Sequence, residues 1–387
     1  MTLWNPTAMV IPHAAPPSET FSLNAIGVRA INAVPTFSPT PMALGLNVNP
    51  LIHDRARYIP LCMAWLLPAA LLVVAASTSM SLADESLTGE TSLKFATVEV
   101  GRALVATSDT FITALSRFDR QVRLQTDGDA TETALIGLLK GEVLDWDDES
   151  RQILSESIER VRPKLDPFHL PLPRTTLLIR MSGKVEANAA YTRGAAILLP
   201  RDRLKKITPD AIDRLLLHEL FHVLSRHAPE LRRDLYRIIG FEVCEPIALP
   251  ASLADIKLTN PDAPLVDCVI KLTEGDETFH AAPILYSSSD KYDADKKPPL
   301  FKYVTFRLMK VEQQAGRWRP LLIDGEPVLI APDQSKSFAD QIGQNTKYII
   351  HPDEILADNF VHLVMQTEKL ASPRIVEQMG ERLKRVR

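Results

Sequence analysis

An apolar run at residues 61–76 divides the chain into two unlike parts. Before it, residues 1–50 contain eight prolines and only two residues of the Asp, Glu, Lys and Arg classes. Such frequent prolines leave no hydrophobic periodicity, so we expect no packed core in this part. The run itself follows two arginines and is followed by small and polar residues up to Ala83. This order predicts an unstructured prefix of residues 1–83 that contains an export signal.

Two other interpretations of residues 61–76 stay open. The run has 16 residues, which is short for a membrane-spanning helix, since that needs about 20. An uncleaved signal would nevertheless anchor the protein in a membrane, and a buried core helix is the third possibility. We expect cleavage after Ala83 and an exported protein that is periplasmic or secreted.

Removal of the prefix leaves residues 84–387, a chain of 304 residues with a formal charge of 41 − 46 = −5. This length suits one large domain with room for an insertion. The full chain is 45% hydrophobic and 24% charged, as globular proteins are. Its weak negative charge provides no basic field, so we expect no nucleic-acid partner.

Hydrophobic spacing and proline positions predict an α+β fold with four segments after the prefix. The segments are an N-terminal helical region (84–170), a sheet with a long helix (171–240), a β-rich insertion (241–345) and a C-terminal helical lobe (346–387). The helices are expected at 91–123, 131–145, 147–165, 208–226, 229–239, 351–367 and from 372 onward, and the strands at 174–181, 194–199, 282–287, 301–311, 319–323 and 327–331.

The helix that begins at Thr208 carries a His-Glu-x-x-His motif at positions 218–222. His218 and His222 are four residues apart and share a helix face, so both imidazoles can reach one zinc ion. Glu219 lies beside that face, where it can take a proton from water on the ion. The alternative is a pair of core histidines, but burying two histidines and a glutamate together without a metal would be costly.

This motif resembles that of the zincin metallopeptidases, and a second motif resembles their thermolysin-like gluzincin branch. In that branch a glutamate on a second helix is the third zinc ligand, and an aspartate one turn later binds the first histidine. The helix that starts at His351 has Glu354 and Asp358 at this spacing. The resemblance implies that Glu354 ligates Zn²⁺ and that Asp358 orients His218. An ordinary acidic first turn is the alternative for Glu354.

The resemblance covers only the two short motifs and their helices. His222 and Glu354 are 354 − 222 = 132 positions apart, far more than in that family. The resemblance also implies a zincin-like domain with a small mixed sheet, in which an edge strand binds extended substrate. The strand that precedes the motif makes Gly194, Ala195 and Ala196 the substrate-binding candidates, and an internal strand is the alternative.

Other candidates have weaker support. Enzymes of this type often use a tyrosine or histidine to bind developing negative charge, so His351 and Tyr191 are catalytic candidates beside Tyr348. A structural role is the alternative for each. Cys244 and Cys268 form a disulfide if the protein is exported, and two free buried thiols are the alternative.

These features predict an exported zinc-dependent peptidase that acts on a peptide or protein substrate, with Glu219 as the general base. One alternative is a non-catalytic zinc protein that binds the envelope or a partner through residues 241–345. Four protein ligands would close such a site, and His351 or Cys244 is the candidate fourth ligand. Another alternative is a zinc hydrolase of a non-peptide substrate.

Overall fold

The computed structural model describes residues 85–89 and 91–385. The predicted prefix, with its apolar run at 61–76 and the cleavage site after Ala83, lies outside these residues. Among the described residues, none of the helices combines the length and the apolar character that crossing a membrane requires.

Helices and strands are mixed along the chain, which confirms the α+β fold class. The strands are β1 (Glu85–Thr88), β2 (Thr91–Phe95), β3 (Val143–Leu144), β4 (Thr175–Met181), β5 (Tyr191–Arg193), β6 (Ala196–Pro200), β7 (Phe241–Val243), β8 (Cys268–Glu274), β9 (Glu277–Ser287), β10 (Val304–Gln314), β11 (Arg317–Pro320), β12 (Leu322–Ile323), β13 (Glu326–Pro327) and β14 (Leu329–Ile330). The helices are α1 (Val98–Val105), α2 (Thr110–Ala114), α3 (Arg117–Leu124), α4 (Glu132–Gly141), α5 (Asp148–Leu165), α6 (Arg201–Leu204), α7 (Pro209–His227), α8 (Pro229–Ile238), α9 (Ala251–Ala254), α10 (Lys336–Ile342), α11 (Pro352–Val364) and α12 (Pro373–Lys384).

The first sheet is mixed, with the strand order β1-β2-β4-β6-β5 and with β3 paired to β4. Strands β2, β4 and β6 run parallel to one another, whereas the edge strands β1 and β5 are antiparallel to the strands beside them. All five residues of β6 are buried, as expected for an internal strand of a covered sheet. Side chains of β4 and β6 pack with those of the helices from α1 to α4 in one apolar core.

The second sheet is antiparallel, with the strand order β11-β10-β9-β8-β7 and with β14 paired to β10. It is formed from the segment predicted as a β-rich insertion, and it has its own apolar core around Val269, Ile284 and Met309. Strands β7 and β8 and helix α10 were not predicted, because the first is only three residues long and the others follow irregular proline-containing segments.

Helices α7 and α11 pack against each other and position the motif residues. The Thr208 hydroxyl caps α7 by accepting a hydrogen bond of 3.3 Å from the Ala211 N–H, and proline occupies the first turn, as predicted. The rings of Phe221 on α7 and Phe360 on α11 lie 5.7 Å apart at the interface of the two helices. This packing brings the histidine pair beside the start of α11.

The predicted helix over residues 91–123 is partly wrong. Residues Thr91–Phe95 form strand β2, which pairs in parallel with β4. Its buried residues alternate with half-buried ones, and this period of two is a strand signal that the helical spacing farther along the chain concealed. The rest of the segment is divided into α1, α2 and α3, because Asp109 and Ser116 each cap a new helix.

Two neighbouring predictions are closer to the structure. The helix expected at 131–145 ends at Gly141, and Val143–Leu144 turns into β3 against β4. The helix expected at 147–165 corresponds to α5, with Pro163 inside its last turn.

Candidate metal centre

The two histidines of the motif meet one carboxylate oxygen from α11. The Oε2 atom of Glu354 lies 3.1 Å from Nε2 of His218 and 3.4 Å from Nε2 of His222. One candidate ligand atom of each residue falls within 4.8 Å of the others. His222 and Glu354 are buried and His218 is nearly so. The structure thus brings together the three residues that the sequence indicated as metal ligands.

The other nitrogen of each ring is bound to a carboxylate. Nδ1 of His218 lies 3.0 Å from Oδ1 of Asp358, and Nδ1 of His222 lies 2.7 Å from Oδ2 of Asp353. Because an ionised carboxylate only accepts, each Nδ1 keeps its hydrogen, and each Nε2 is the atom that can exchange a proton for a metal ion. Among the described residues, Nε2 of His222 is a buried atom with no hydrogen-bond partner, which fits a metal-ligand role.

The electrostatics of the group also favour a cation. Burial lowers the pKa of His218, but its hydrogen bonds to Asp358 and Glu354 outweigh this effect and raise the pKa to about 10. The pKa of His222 is also raised well above its ordinary value, since the charges of Asp262 and Glu354 outweigh burial. The surplus of carboxylates therefore draws protons onto the rings, and a bound divalent ion would replace them.

Asp353 is a positioning residue that the sequence analysis missed. Besides the ring of His222, its carboxylate accepts hydrogen bonds from the hydroxyls of Ser225 and of Tyr236, the latter at 2.9 Å. Burial alone would raise the pKa of Asp353, but the hydrogen bond and charge of His222 lower it to about 2. Its place directly before Glu354 was visible in the sequence, whereas its partners on α7 and α8 were not.

Asp358 is held on its second side by the hydroxyl of Thr346, which donates to Oδ2. The ring of His218 therefore meets a carboxylate that is itself fixed. The contact between His218 and Asp358 spans 140 positions of the chain, and it is the one that the gluzincin resemblance implied.

Glu219 is buried beside the ligand group, and its Oε2 atom has no hydrogen-bond partner among the described residues. Burial, together with the charge of Asp262, raises the pKa of Glu219 to about 8. Without a metal ion this carboxyl group is therefore mostly protonated at neutral pH, and the charge of a bound divalent cation would lower its pKa and leave it able to accept a proton. Its position therefore suits the general-base role predicted for it.

A loop between α9 and β8 adds two polar residues to the group. Asn260 donates from Nδ2 to Oε1 of Glu354 at 2.5 Å. Asp262 accepts from the backbone N–H of Thr192 at 2.7 Å and from its hydroxyl at 2.6 Å. The sequence analysis missed both residues, because an Asn-Pro-Asp turn in a loop has no periodicity that would place it near a helix.

The prediction that Gly194, Ala195 and Ala196 form a substrate-binding edge is wrong, because these residues do not lie in an edge strand. Gly194, at φ 56°, and Ala195 form the turn between β5 and β6. Ala196 lies in β6, an internal strand paired on both sides. The strand order places β5 at the edge of the sheet. Its three residues are buried, and Thr192 is the middle one.

The catalytic role predicted for Tyr191 does not fit its position. Tyr191 is buried in the core of the first sheet, where its ring lies 6.4 Å from that of Phe111. Its hydroxyl has no hydrogen-bond partner among the described residues. We therefore assign it to packing rather than to catalysis.

The predicted role of His351 is also not supported. Its Nδ1 atom caps α11 by accepting a hydrogen bond of 3.1 Å from the Asp353 N–H. Its Nε2 atom faces Sγ of Cys268 at 3.8 Å. Both ring nitrogens are thus turned to structural partners rather than to the ligand group.

Asp267, Cys268 and His351 form a second cluster whose ligand-type atoms also lie within 4.8 Å of one another. Since Nδ1 of His351 accepts a hydrogen bond, the neutral ring carries its hydrogen on Nε2, and that atom has no lone pair for a metal. Both oxygens of Asp267 are bound by Arg232, at 3.0 and 3.1 Å. This cluster is therefore better explained as a buried polar network than as a metal site.

Cys244 and Cys268 are free thiols, so the predicted disulfide is absent. The residue opposite Cys268 in the sheet is Val243. Cys244 is one position farther, and successive side chains point to opposite faces of a strand. Cys244 accordingly packs against the core of the second sheet, whereas Cys268 faces His351.

Tyr348, the third candidate for charge stabilisation, is half-buried and near the ligand group. Burial raises its pKa well above the ordinary value, and the charges of Glu354, Asp262 and Asp358 raise it further. The hydroxyl of Tyr348 therefore stays protonated at neutral pH.

Comparisons with protein-family models, curated proteins and solved structures found no match to this chain. The function must therefore be argued from the chemistry of the site itself.

Proposed function

We propose that this protein is a zinc-dependent peptidase of gluzincin type, exported as its prefix predicts. The observation that carries the proposal is the joint position of His218, His222 and Glu354, with both Nε2 atoms turned to one carboxylate oxygen. Two imidazoles and a carboxylate are a ligand set of catalytic zinc, and three protein ligands leave a coordination position open.

The group fits zinc, which when bound supplies a Lewis acid that polarises a carbonyl and lowers the pKa of water. His218, His222 and Glu354 would hold the ion, while Asp358 and Asp353 keep the rings in the required tautomer. Glu219 accepts a proton from the attacking water and returns it to the leaving amine. Its burial beside His218, His222 and Glu354 supports this assignment.

Tyr348 is the residue that we assign to stabilisation of developing negative charge. Its hydroxyl remains a hydrogen-bond donor because burial and neighbouring carboxylates raise its pKa. A positioned donor of this kind can stabilise the charge on a substrate carbonyl oxygen in the transition state.

The non-catalytic alternative requires a fourth protein ligand. His351 and Cys244 were the candidates, but His351 faces Cys268 and Cys244 packs against the second sheet. The ligand group itself consists of three residues among the part of the chain that is described. These observations favour an open site, and thus a catalytic one.

A zinc hydrolase of a non-peptide substrate is the second candidate function. The observation that favours it is the contact between Asp262 and Thr192, because this contact occupies the outward N–H of the edge strand. A substrate that does not extend the sheet would leave that contact intact.

The test measures zinc content and peptide hydrolysis of residues 84–387, wild type beside Glu219→Gln and Glu354→Ala, with the exposed Glu381→Gln as control. We expect one zinc per chain in the wild type, the Glu219→Gln variant and the control, weaker binding in Glu354→Ala, and hydrolysis only in the wild type and the control. Zinc retained equally by Glu354→Ala would remove the gluzincin assignment. Hydrolysis retained by Glu219→Gln would remove the base, and zinc binding with ester but not peptide hydrolysis would favour the second candidate.

A further inference from the structure

Residues 260–266, which we call the strap, cross the site between two fixed ends. At one end, Thr259 is buried and donates to Asp119 from its N–H at 3.1 Å and its hydroxyl at 2.7 Å. At the other end, Asp267 is bound through both oxygens by Arg232. The strap itself is irregular, and its residues are half-buried.

Between these ends, two side chains of the strap reach the parts of the site that a peptide would use. Asn260 donates to the Oε1 atom of the ligand residue Glu354. Asp262 accepts from both the N–H and the hydroxyl of Thr192 on the edge strand β5. The two contacts are coupled, because the Asp262 N–H donates to Oδ1 of Asn260 at 3.0 Å.

The N–H of Thr192 is the group that an added strand would need. Arg193 pairs with Ala196 across the two-residue turn, so the hydrogen bonds that close the hairpin lie at that pair. Thr192, one position earlier, therefore directs its N–H and C=O away from β6. An extended peptide that adds to β5 would bind these outward groups, and Asp262 already binds the N–H.

Apart from Val266, which packs against the apolar core of the second sheet, the strap can move without unpacking that core. A cavity of about 190 Å³ lies beside it, lined by Asp262, Ala263 and Pro264 and by Ser225 and Arg226 of α7. Polar contacts hold the middle of the strap, including those from Arg226 to the Asp262 carbonyl at 3.0 Å and from Lys257 to the Pro264 carbonyl at 2.8 Å.

We propose that the strap is an autoinhibitory element: Asp262 occupies the peptide-binding edge at Thr192, and a substrate peptide binds by displacing it. This inference rests on the proposed peptidase function, since it concerns how peptide reaches the same site. The apparent affinity for peptide is then reduced by the fraction of molecules in which the strap is closed.

Removal of the Asp262 carboxylate should therefore strengthen peptide binding. The carboxylate makes two short hydrogen bonds to Thr192, and bonds to charged groups are stronger than neutral ones. We expect Asp262→Ala to bind a peptide analogue about tenfold more tightly, by relieving the closed state. Asp262→Asn keeps an acceptor oxygen for Thr192 and should fall between this variant and the wild type.

The experiment uses the zinc-loaded full-length protein and a leucyl-dipeptide hydroxamate as the probe. Its dissociation constant is measured for the wild type, for both Asp262 variants and for Asp276→Ala, an exposed aspartate in the turn between β8 and β9. Hydrogen exchange of the Thr192 amide and of the strap amides is followed with and without the probe. We expect the probe to increase exchange in the strap while Thr192 stays protected, and the control to match the wild type.

Two outcomes would contradict the inference, and they differ in whether the proposed peptidase function survives. Normal zinc content with unchanged probe affinity in Asp262→Ala, and a strap that stays protected in the complex, would overturn the autoinhibitory role alone. Absence of zinc from every variant would overturn the peptidase proposal and the inference with it.

Discussion

Nδ1 of His222 lies 2.7 Å from the carboxylate of Asp353 at the start of helix α11. The next residue of that helix is the candidate ligand Glu354, so one helix terminus supplies both a ligand and the group that orients another. The two remaining donors to Asp353 come from Ser225 on α7 and Tyr236 on α8. The geometry of His222 therefore depends on three helices that must pack together before the ring is correctly held.

Loss of the Asp353 carboxylate should weaken zinc binding without removing a ligand. We expect Asp353→Ala to reduce zinc affinity by about 10- to 100-fold, as for other residues that hold a ligating histidine. Competition with a chelator measures the affinity, and Asp340→Ala is the control, because its exposed carboxylate is paired with Lys336 on α10. Equal zinc affinity in Asp353→Ala and the wild type would mean that α7 alone orients the ring.

The hydroxyl of Tyr348 should matter to the reaction rate rather than to zinc binding. If it stabilises the transition state, Tyr348→Phe should lower kcat by about 10²- to 10³-fold. Zinc content and KM should remain close to those of the wild type, because the phenyl ring keeps the packing.

Steady-state kinetics on a peptide substrate, with Tyr191→Phe as the matched control, decide this assignment. A kcat within twofold of the wild type would exclude Tyr348 as the donor.

Two helical glycines should respond to alanine with opposite signs. A Cβ atom at Gly101 in α1 would lie 2.8 Å from Cγ1 of Val143 and 3.1 Å from Cγ2 of Ile179. We expect Gly101→Ala to destabilise the fold by about 1–3 kcal/mol through overpacking. A Cβ atom at Gly137 in α4 would have no atom of another segment within 4 Å. Alanine at this position should therefore stabilise the fold by about 0.5–1 kcal/mol. Urea unfolding of both variants is the measurement, and stabilisation at both positions would contradict the packing of α1 on the sheet.

The buried ring of His351 should make the protein sensitive to acid. Burial, only partly opposed by Asp353 and Asp267, lowers the pKa of His351 from 6.5 to about 4. As the pH falls below 6.5, the unfolded chain takes up a proton that the folded protein does not, so stability decreases down to about pH 4. The ring faces Cys268 and lies near Arg232, which adds to the preference for the neutral form.

His351→Asn should reduce this loss, because asparagine can cap the helix without titrating. Between pH 7 and pH 4.5, the decrease in unfolding free energy should be about 2–3 kcal/mol smaller in this variant than in the wild type. Urea unfolding of the metal-free protein at both pH values gives the comparison. An identical decrease in both proteins would show that His351 is already protonated in the fold.

The residues that could be predicted are those whose signals are local. Helix α7 begins with the cap residue Thr208, and a proline follows directly. The spacing of the two histidines puts them on one face of that helix. Glu354 and Asp358 are likewise four positions apart, so they lie on one face of α11. These signals placed the two helices and their polar faces, and the packing of one helix on the other then brings the faces together.

The remaining parts of the site depend on contacts between distant segments. Asp262 reaches Thr192 from 70 positions away, and nothing within the loop itself indicates that partner. The edge position of β5 likewise follows from strand order, since β6 is internal only because β4 pairs with its other side. The structure does not support the catalytic roles predicted for Tyr191 and His351 for the same reason: their residue types suited the chemistry, but their side chains are directed to other partners.

The chain order of the ligands has a consequence for when the site forms. His218 and Glu354 are 136 positions apart, and the strands from β7 to β14 are folded from the chain between them. Contacts between such distant residues form late, because closing a long loop costs entropy before the contact stabilises anything. A growing chain therefore presents its histidine pair well before its third ligand exists. An ion held by that pair alone would remain exchangeable, so selection of the proposed metal would belong to the last stage of folding.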